Sequence, residues 1–358
     1  MTTSSPAPSP ALRPLTAIRG LAALWVYLFH RSNLSSGSLF FSQFAKDGYF
    51  GLDIFFILSG FIISYVHFDE FATVADVRKN AARFLQLRLS RVYPLYLLLL
   101  LAFVNFQPTS GAGVKDFLQH LLLLQSWGWS NNQVWNVPDW SISVEWLIYL
   151  AFPFFAHGIF AQARSIAFNL VVLAGAMALW AFYLSALGVK IHDMVTPTTC
   201  LPRGILNFII GVALHNLYRE KFLEKLPWDA ISVAAVAAIL GTSGLRAHEV
   251  GLPEASMSAL FALLIYALAN IRGWANYVFA NRAVVYLGTI SYSIYMLQWI
   301  YLLLLAKHHG VIFDGQPFFT VQFAVDTAGL LICAAASYQF LEDPARQWLR
   351  ELIEEEEA

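Results

Sequence analysis

Charge is what this sequence has least of. Of 358 residues, 22 are Lys or Arg and 23 are Asp or Glu, 13% together. Soluble globular domains carry about one quarter. A soluble chain of this length would have too little polar surface to cover itself. The net charge of −1 supplies no basic field, so nucleic acid is not an expected partner. Cysteine is nearly absent: Cys200 and Cys333 stand in or beside apolar runs, with no CxxC pair and no disulfide framework. Both read as small buried hydrophobes. There is no HExxH, no Walker A loop and no GxSxG. His308-His309 lacks carboxylate or cysteine partners at ligand spacing, so no metal is expected. No internal repeat divides the chain into transporter-like halves. The first apolar run is too long for a secretory signal, and no small-residue cleavage site follows it.

What is abundant is apolar surface. Hydrophobic residues make up 58% of the chain and the mean hydropathy is +0.59. Runs near the length of a bilayer crossing, about twenty residues, recur throughout. Ten candidate spans fall near 14–33, 49–68, 92–107, 140–160, 166–187, 199–217, 229–247, 255–271, 284–306 and 319–341. The expected fold is an all-α integral membrane bundle of about ten helices. A Ser/Pro/Thr-rich tail at 1–13 precedes one membrane domain at 14–341, and an acidic cytoplasmic tail at 342–358 follows. Phe117–Leu124 is too short to span and reads as re-entrant or interfacial. Trp127, Trp129, Trp135 and Trp140 beside it read as a headgroup belt. Asn33-Leu-Ser35 matches the glycosylation triplet but abuts a span, so it carries little.

Orientation follows from the basic residues. With the N-terminus inside, fifteen fall inside: Arg13, Arg19, Arg78, Lys79, Arg83, Arg88, Arg91, Arg164, Arg219, Lys221, Lys225, Arg272, Arg282, Arg346 and Arg350. Seven fall outside: Arg31, Lys46, Lys115, Lys190, Arg203, Arg246 and Lys307. This asymmetry places both termini in the cytoplasm.

Ionisable side chains within spans are costly, so each is a functional candidate. Arg19 and His30 are eleven residues apart in one helix. At about 100° per residue the interval is three turns and about 20°, so both share a face, about 16 Å apart along the axis. Arg19 lies near the inner surface and His30 toward the outer one. The alternative is a snorkelling arginine and a histidine satisfied by a carbonyl. In Gly51-Leu-Asp-Ile-Phe-Phe-Ile-Leu-Ser-Gly60, Asp53 is an acid too costly to leave unpaired, and Ser59-Gly60 permits close helix approach. Arg88 and Arg91 open the third span on adjacent positions of one face. They could clamp phosphates, or simply anchor the inner side. Glu145, in Trp140-Ser-Ile-Ser-Val-Glu-Trp146, starts the fourth span from outside, at a depth matching His30. There it could charge-stabilise the imidazole, grip a substrate hydroxyl, or merely face water. Gly288–Gln298 is rich in hydroxyls, with Tyr292 and Tyr295 among them, and could line a polar pocket.

In this order the motifs resemble acyltransferase family 3, the bacterial membrane O-acyltransferases of the O-antigen, Nod-factor and exopolysaccharide acetyltransferase type. The matching residues are Arg19-x10-His30, Phe55-Phe-Ile-Leu-Ser-Gly60, Arg88-x-x-Arg91, Trp140-Ser-Ile-Ser-Val-Glu-Trp146, Ser291-Tyr-Ser-Ile-Tyr295 and Glu342-Asp-Pro344. The resemblance implies a multi-pass enzyme of the bacterial inner membrane. Its co-substrate would be cytoplasmic acyl-CoA, acetyl-CoA by default, with no permanently bound cofactor. It would acylate a hydroxyl of a carbohydrate or other small acceptor. By likeness, Arg19, Arg88 and Arg91 would hold coenzyme A phosphates, His30 would be the base and Glu145 a supporting acid. Asp53, Trp140, Ser143, Tyr292 and Tyr295 would line the substrate or stabilise the oxyanion. The chain departs from the pattern at Gln298, where similar sequences often carry His, and at Leu87, where a further Arg often stands. A transporter of a polar or acylated metabolite is the competing reading, and it predicts paired broken helices.

Overall fold

A computed structural model describes residues 12–32, 39–71, 73–106, 112–129, 134–156, 165–188, 196–245, 252–309 and 320–356. Residues 1–11 of the expected tail, Asn33-Leu-Ser35, Arg164, Lys190 and Arg246 lie outside the described residues.

The described chain is helical. In order come α1 (Arg13–Ser32), α2 (Leu39–Lys46), α3 (Gly51–His67), α4 (Val74–Phe106), α5 (Val114–Leu121), α6 (Trp140–Phe155), α7 (Ile166–Leu187) and α8 (Pro197–Arg219). Then follow α9 (Trp228–Leu245), α10 (Leu252–Asn270), α11 (Ala275–Phe279), α12 (Arg282–Thr289), α13 (Ser291–His309), α14 (Val321–Ser337) and α15 (Asp343–Glu356). Local chemistry fixes several ends. Ser165 accepts from the Phe168 amide to open α7, and Gly188 closes it at φ +58°, where a Cβ would be strained. Thr320 caps α14 through the Phe323 amide.

Each of the ten expected runs overlaps a helix. Among the described residues, five stretches are long and apolar enough to cross a membrane alone: Phe41–His67, Val74–Asn105, Ile166–Ala186, Thr199–Arg219 and Val321–Glu355. The pair Arg282–Thr289 and Ser291–His308 makes a sixth if counted together. Length and apolarity therefore identify a helical membrane protein with five to six such spans. The other expected runs are helices that are shorter or, like α1, carry three arginines.

Three features differ from expectation. The ninth run is not continuous: it bends by 63° between α12 and α13. At the bend the Gly288 carbonyl accepts from Ser291 Oγ at 2.9 Å and from the Arg19 guanidinium, so side chains have entered the ladder and kinked it. Second, Arg88 and Arg91 do not open their helix. α4 runs 33 residues, about 50 Å, well beyond the roughly 30 Å hydrocarbon. Both arginines therefore sit in its middle. Third, the tryptophan belt is mostly interior. Trp135 and Trp140 are buried, and Trp127 donates to the Ser143 carbonyl; Trp129 is exposed. Indole burial wins because Trp135 packs edge-on against His120 and Phe117. The C-terminal segment also continues as helix α15 to Glu356.

Close packing follows from small residues. A Cβ on Gly60 would lie 2.1 Å from the Phe208 carbonyl, and one on Gly211 would lie 2.0 Å from the Ile57 carbonyl, so α3 and α8 meet backbone to backbone. Gly20 and Gly288 do the same for α1 and α12. That second contact brings Arg19 to the α12–α13 bend.

Candidate active site

A cavity of about 490 Å³ lies between α1, α3, α4, α6 and α13. Four arginines line it, Arg19, Arg88, Arg91 and Arg346, against two carboxylates, Glu145 and Glu342. The excess of positive charge gives the cavity an electrostatic preference for anions. Its volume suits a ligand of drug size.

Three of the four arginines are held by a specific contact. Arg19 donates from Nη2 to the Gly288 carbonyl at 2.8 Å, and from Nε to Ser291 Oγ at 3.0 Å. Arg88 is held by His67, with Nη2 and Nε2 2.7 Å apart. Arg91 lies within electrostatic reach of Arg19 and Glu342. Arg346 pairs with Asp343 one turn back. Glu342 sits on a single π-helical turn, Tyr338–Glu342, and accepts from Ser293 Oγ at 2.7 Å. Such turns re-aim side chains at functional sites. Only the Glu342-Asp-Pro344 motif signalled Glu342 in the sequence; nothing signalled Arg346 or His67.

Glu145 belongs to this cluster and not to His30. Its Oε1 accepts from Ser59 Oγ at 2.9 Å and from the Tyr149 hydroxyl at 2.5 Å, and Arg19 and Arg88 are its charged neighbours. The expected match in depth with His30 is corrected: α6 carries Glu145 more than a turn past its start, down to the arginines.

His30 lies beyond the cavity lining, at the other end of the same face of α1. Its Nδ1 is 3.4 Å from Gln298 Oε1, and its ring is 5.4 Å from that of Trp299. Arg19 faces Gly288 and Ser291 while His30 faces Gln298, so one stripe of α1 follows α13 in parallel. Between the two ends stands Tyr295. Its hydroxyl donates to the Pro138 carbonyl at 2.5 Å and lies 2.7 Å from Ser141 Oγ, and its ring meets Phe55 at 5.8 Å. Tyr295, Ser141 and Phe55 all line the cavity. Tyr292 lines it too, donating to the Val92 carbonyl at 2.6 Å.

Three expected residues fall elsewhere. Asp53 is 0% exposed and bound on both oxygens by Arg203, at 2.9 and 2.8 Å, with Asn207 donating at 2.9 Å. Its charge is satisfied inside the bundle. Trp140 lies under the same arginine, 5.6 Å from ring centroid to Cζ. Ser143 is fully buried, donating to the Leu123 carbonyl and accepting from the Ser126 amide. None of the three lines the cavity. Arg31 and Arg203, counted as outside charges, are buried in ion pairs with Asp326 and Asp53.

In the loop ahead of α6, Asp139 lies 3.9 Å from His120 Nε2. Burial pushes its carboxyl up to about 6, with His120 and Gln125 opposing. Among the described residues no three His, Cys, Asp or Glu side chains are placed to hold a metal ion.

Comparison with known proteins identifies the family. Residues 14–338 match the family described as "Acyltransferase domain". The chain is 25% identical over 351 residues to the acyltransferase MdmB of Streptomyces mycarofaciens, covering 90% of this chain and 86% of that one. It is 26% identical over 303 residues to the exopolysaccharide production protein ExoZ of Rhizobium meliloti (strain 1021), covering 82% and 88%. A putative O-acetyltransferase of Staphylococcus aureus (strain COL) is 20% identical over 364 residues, which span 93% of this chain but 57% of that longer protein. No solved structure matches. With the match running from the first helix through the whole of α14, this chain belongs to acyltransferase family 3.

Proposed function

We propose that this protein moves an acyl group, acetyl by default, from cytoplasmic acyl-CoA to a hydroxyl of a carbohydrate or other small acceptor at the far side of the bacterial inner membrane. The observation that carries the reading is the single stripe of α1. It presents Arg19 to a cavity of four arginines and, three turns on, His30 to Gln298. Arg19, Arg88, Arg91 and Arg346 would bind the donor's phosphates at the inner end. The uncharged pantetheine arm would follow α13 past Tyr295 and bring the thioester to His30.

With Gln298 Oε1 accepting from Nδ1–H, the Nε2 lone pair of His30 is left as the base. It would take the acceptor's hydroxyl proton as that oxygen bonds to the thioester carbonyl carbon. The tetrahedral oxyanion then collapses, the carbon–sulfur bond breaks, and the thiolate leaves with a proton. An acyl-His30 intermediate is the second route. Parallel α1 and α13 require an odd number of crossings between them. That supports a ten-span path with both termini inside, in which these helices are the first and ninth crossings.

A transporter is less well supported. One broken helix pair is present among the described residues, without the second that paired repeats would bring. The deciding experiment follows free thiol from acetyl-CoA with purified protein and a panel of sugar acceptors, comparing wild type with His30→Ala and Arg88→Ala. Release by wild type, lost in both variants, is expected. No release and no coenzyme A binding by wild type would overturn the reading.

A further inference from the structure

Arg88 is fixed to the cavity wall by a neutral group. Its Nη2 lies 2.7 Å from Nε2 of His67, and Nδ1 of His67 lies 3.1 Å from Oε2 of Glu70. The His67 side chain, at the end of α3, is 7% exposed, and that of Glu70 is 42% exposed. Arginine has donors and no acceptor, so Nε2 must be the acceptor, and the ring proton sits on Nδ1, directed at Glu70. The series therefore runs one way: Arg88 donates to His67, and His67 donates to Glu70. The guanidinium carbon also lies 5.4 Å from the centroid of the Phe84 ring.

The choice of partner has a consequence for charge. Arg203 is bound bidentately by the Asp53 carboxylate, and its charge is cancelled on the spot. An imidazole acceptor orients a guanidinium as firmly as a hydrogen bond allows, yet adds no negative charge beside it. Arg88 thus reaches the cavity oriented by a partner that carries no negative charge of its own.

We propose that His67, backed by Glu70, is a positioning residue that holds Arg88 ready for an anionic donor. The inference rests on the reading of the arginine cavity as the acyl-CoA site. The groups facing His67 are Glu70 from the turn Phe68–Phe71, and Arg83, Arg88 and the Phe84 ring from α4. A proton taken up at Nε2 would remove the acceptor and set a third cation beside Arg83 and Arg88. Donor binding therefore weakens whenever His67 is protonated.

The test uses the full chain in detergent. It measures coenzyme A affinity, and acetyl-CoA KM and kcat, across mildly acidic to neutral pH for wild type, His67→Ala, His67→Gln and Glu70→Gln. His67→Ala is expected to raise KM about tenfold with kcat little changed, the scale of one lost charge-assisted hydrogen bond. His67→Gln, whose Oε1 can reach the place of Nε2, is expected to restore KM and abolish the rise in KM that wild type shows on acidification. Glu70→Gln is expected to displace that rise along the pH axis. If His67→Ala does not fold, His67→Gln decides alone: a flat pH profile at normal KM supports the inference, and an unchanged acidic rise overturns it. Equal affinity in wild type and His67→Ala also overturns it, leaving the donor site intact. A wild type that binds no coenzyme A overturns the donor reading and this inference together.

Discussion

Gln298 Oε1 lies 3.4 Å from His30 Nδ1, while Gln298 Nε2 donates to the Tyr295 carbonyl at 3.0 Å. The amide is therefore tied at both ends, and the tautomer of His30 with Nε2 free follows from its orientation. Gln298→Ala should lower kcat about tenfold with acetyl-CoA KM nearly unchanged. His30→Ala should lower it by roughly 10²- to 10⁴-fold, the usual range for a general base. Steady-state kinetics on folded, size-exclusion-matched protein checks both. A Gln298→Ala enzyme with wild-type kcat would remove the orienting role.

Arg91→Ala should act on binding and not on chemistry. Losing one of four cavity cations is expected to raise acetyl-CoA KM about tenfold or more, with a shallower dependence of KM on salt. Titration of KM against ionic strength distinguishes this from misfolding, which would leave the salt dependence of the surviving activity as in wild type.

Asp53 and Arg203 should behave as a structural pair. Removing either partner leaves a buried charge alone and is expected to cost about 3–5 kcal/mol. Replacing both with apolar residues of similar size should recover much of that loss. Thermal unfolding of Asp53→Leu, Arg203→Met and the double variant provides the cycle. Additive single effects would show that the pair is not coupled.

Gly288→Ala should disconnect α1 from α12. A Cβ there would lie 1.8 Å from the Thr16 carbonyl, which backbone cannot yield cheaply. The expected result is a lower melting temperature together with weaker coenzyme A binding, because Arg19 is anchored on the same residue. Binding measured by calorimetry on the surviving folded fraction checks the second half.

Asp139 sets a pH dependence of stability. Burial pushes its carboxyl up to about 6, against 3.8 for an ordinary aspartate. Between those values the folded state holds more protons than the unfolded, so stability falls as pH rises through the window and is fully recovered below about 4. Asp139→Asn should remove that slope and stabilise the protein at pH 7 by about 2–3 kcal/mol. Melting curves at about pH 4.5 and pH 7 would show it, and an unchanged slope would reject the assignment.

The sequence carried the helices and the polar face of α1 because both are periodic. Eleven residues return a helix to the same side, and Arg19 and His30 do face one partner, α13. It could not carry depth. Glu145 was expected beside His30, yet α6 brings it to Ser59, Tyr149 and the arginines. Nor could it carry pairing between distant segments: Asp53 meets Arg203 from 150 residues away, which turns a candidate ligand into an internal salt bridge. The bend at Gly288–Ser291 was hidden for a similar reason. It arises where Ser291 and an arginine of another helix both donate to the Gly288 carbonyl, and not from a proline in the run.

The distance along α1 from Arg19 to His30 also separates charge from chemistry. In the proposed route every phosphate stays at the arginine end, and only a neutral acyl group, carried on an uncharged arm, traverses the low-dielectric layer. A fragment of zero net charge does no electrical work in crossing a membrane potential. Acyl delivery across the bilayer should then proceed at the same rate whether or not the cell holds a membrane potential, and its direction would be set by the thioester's free energy alone.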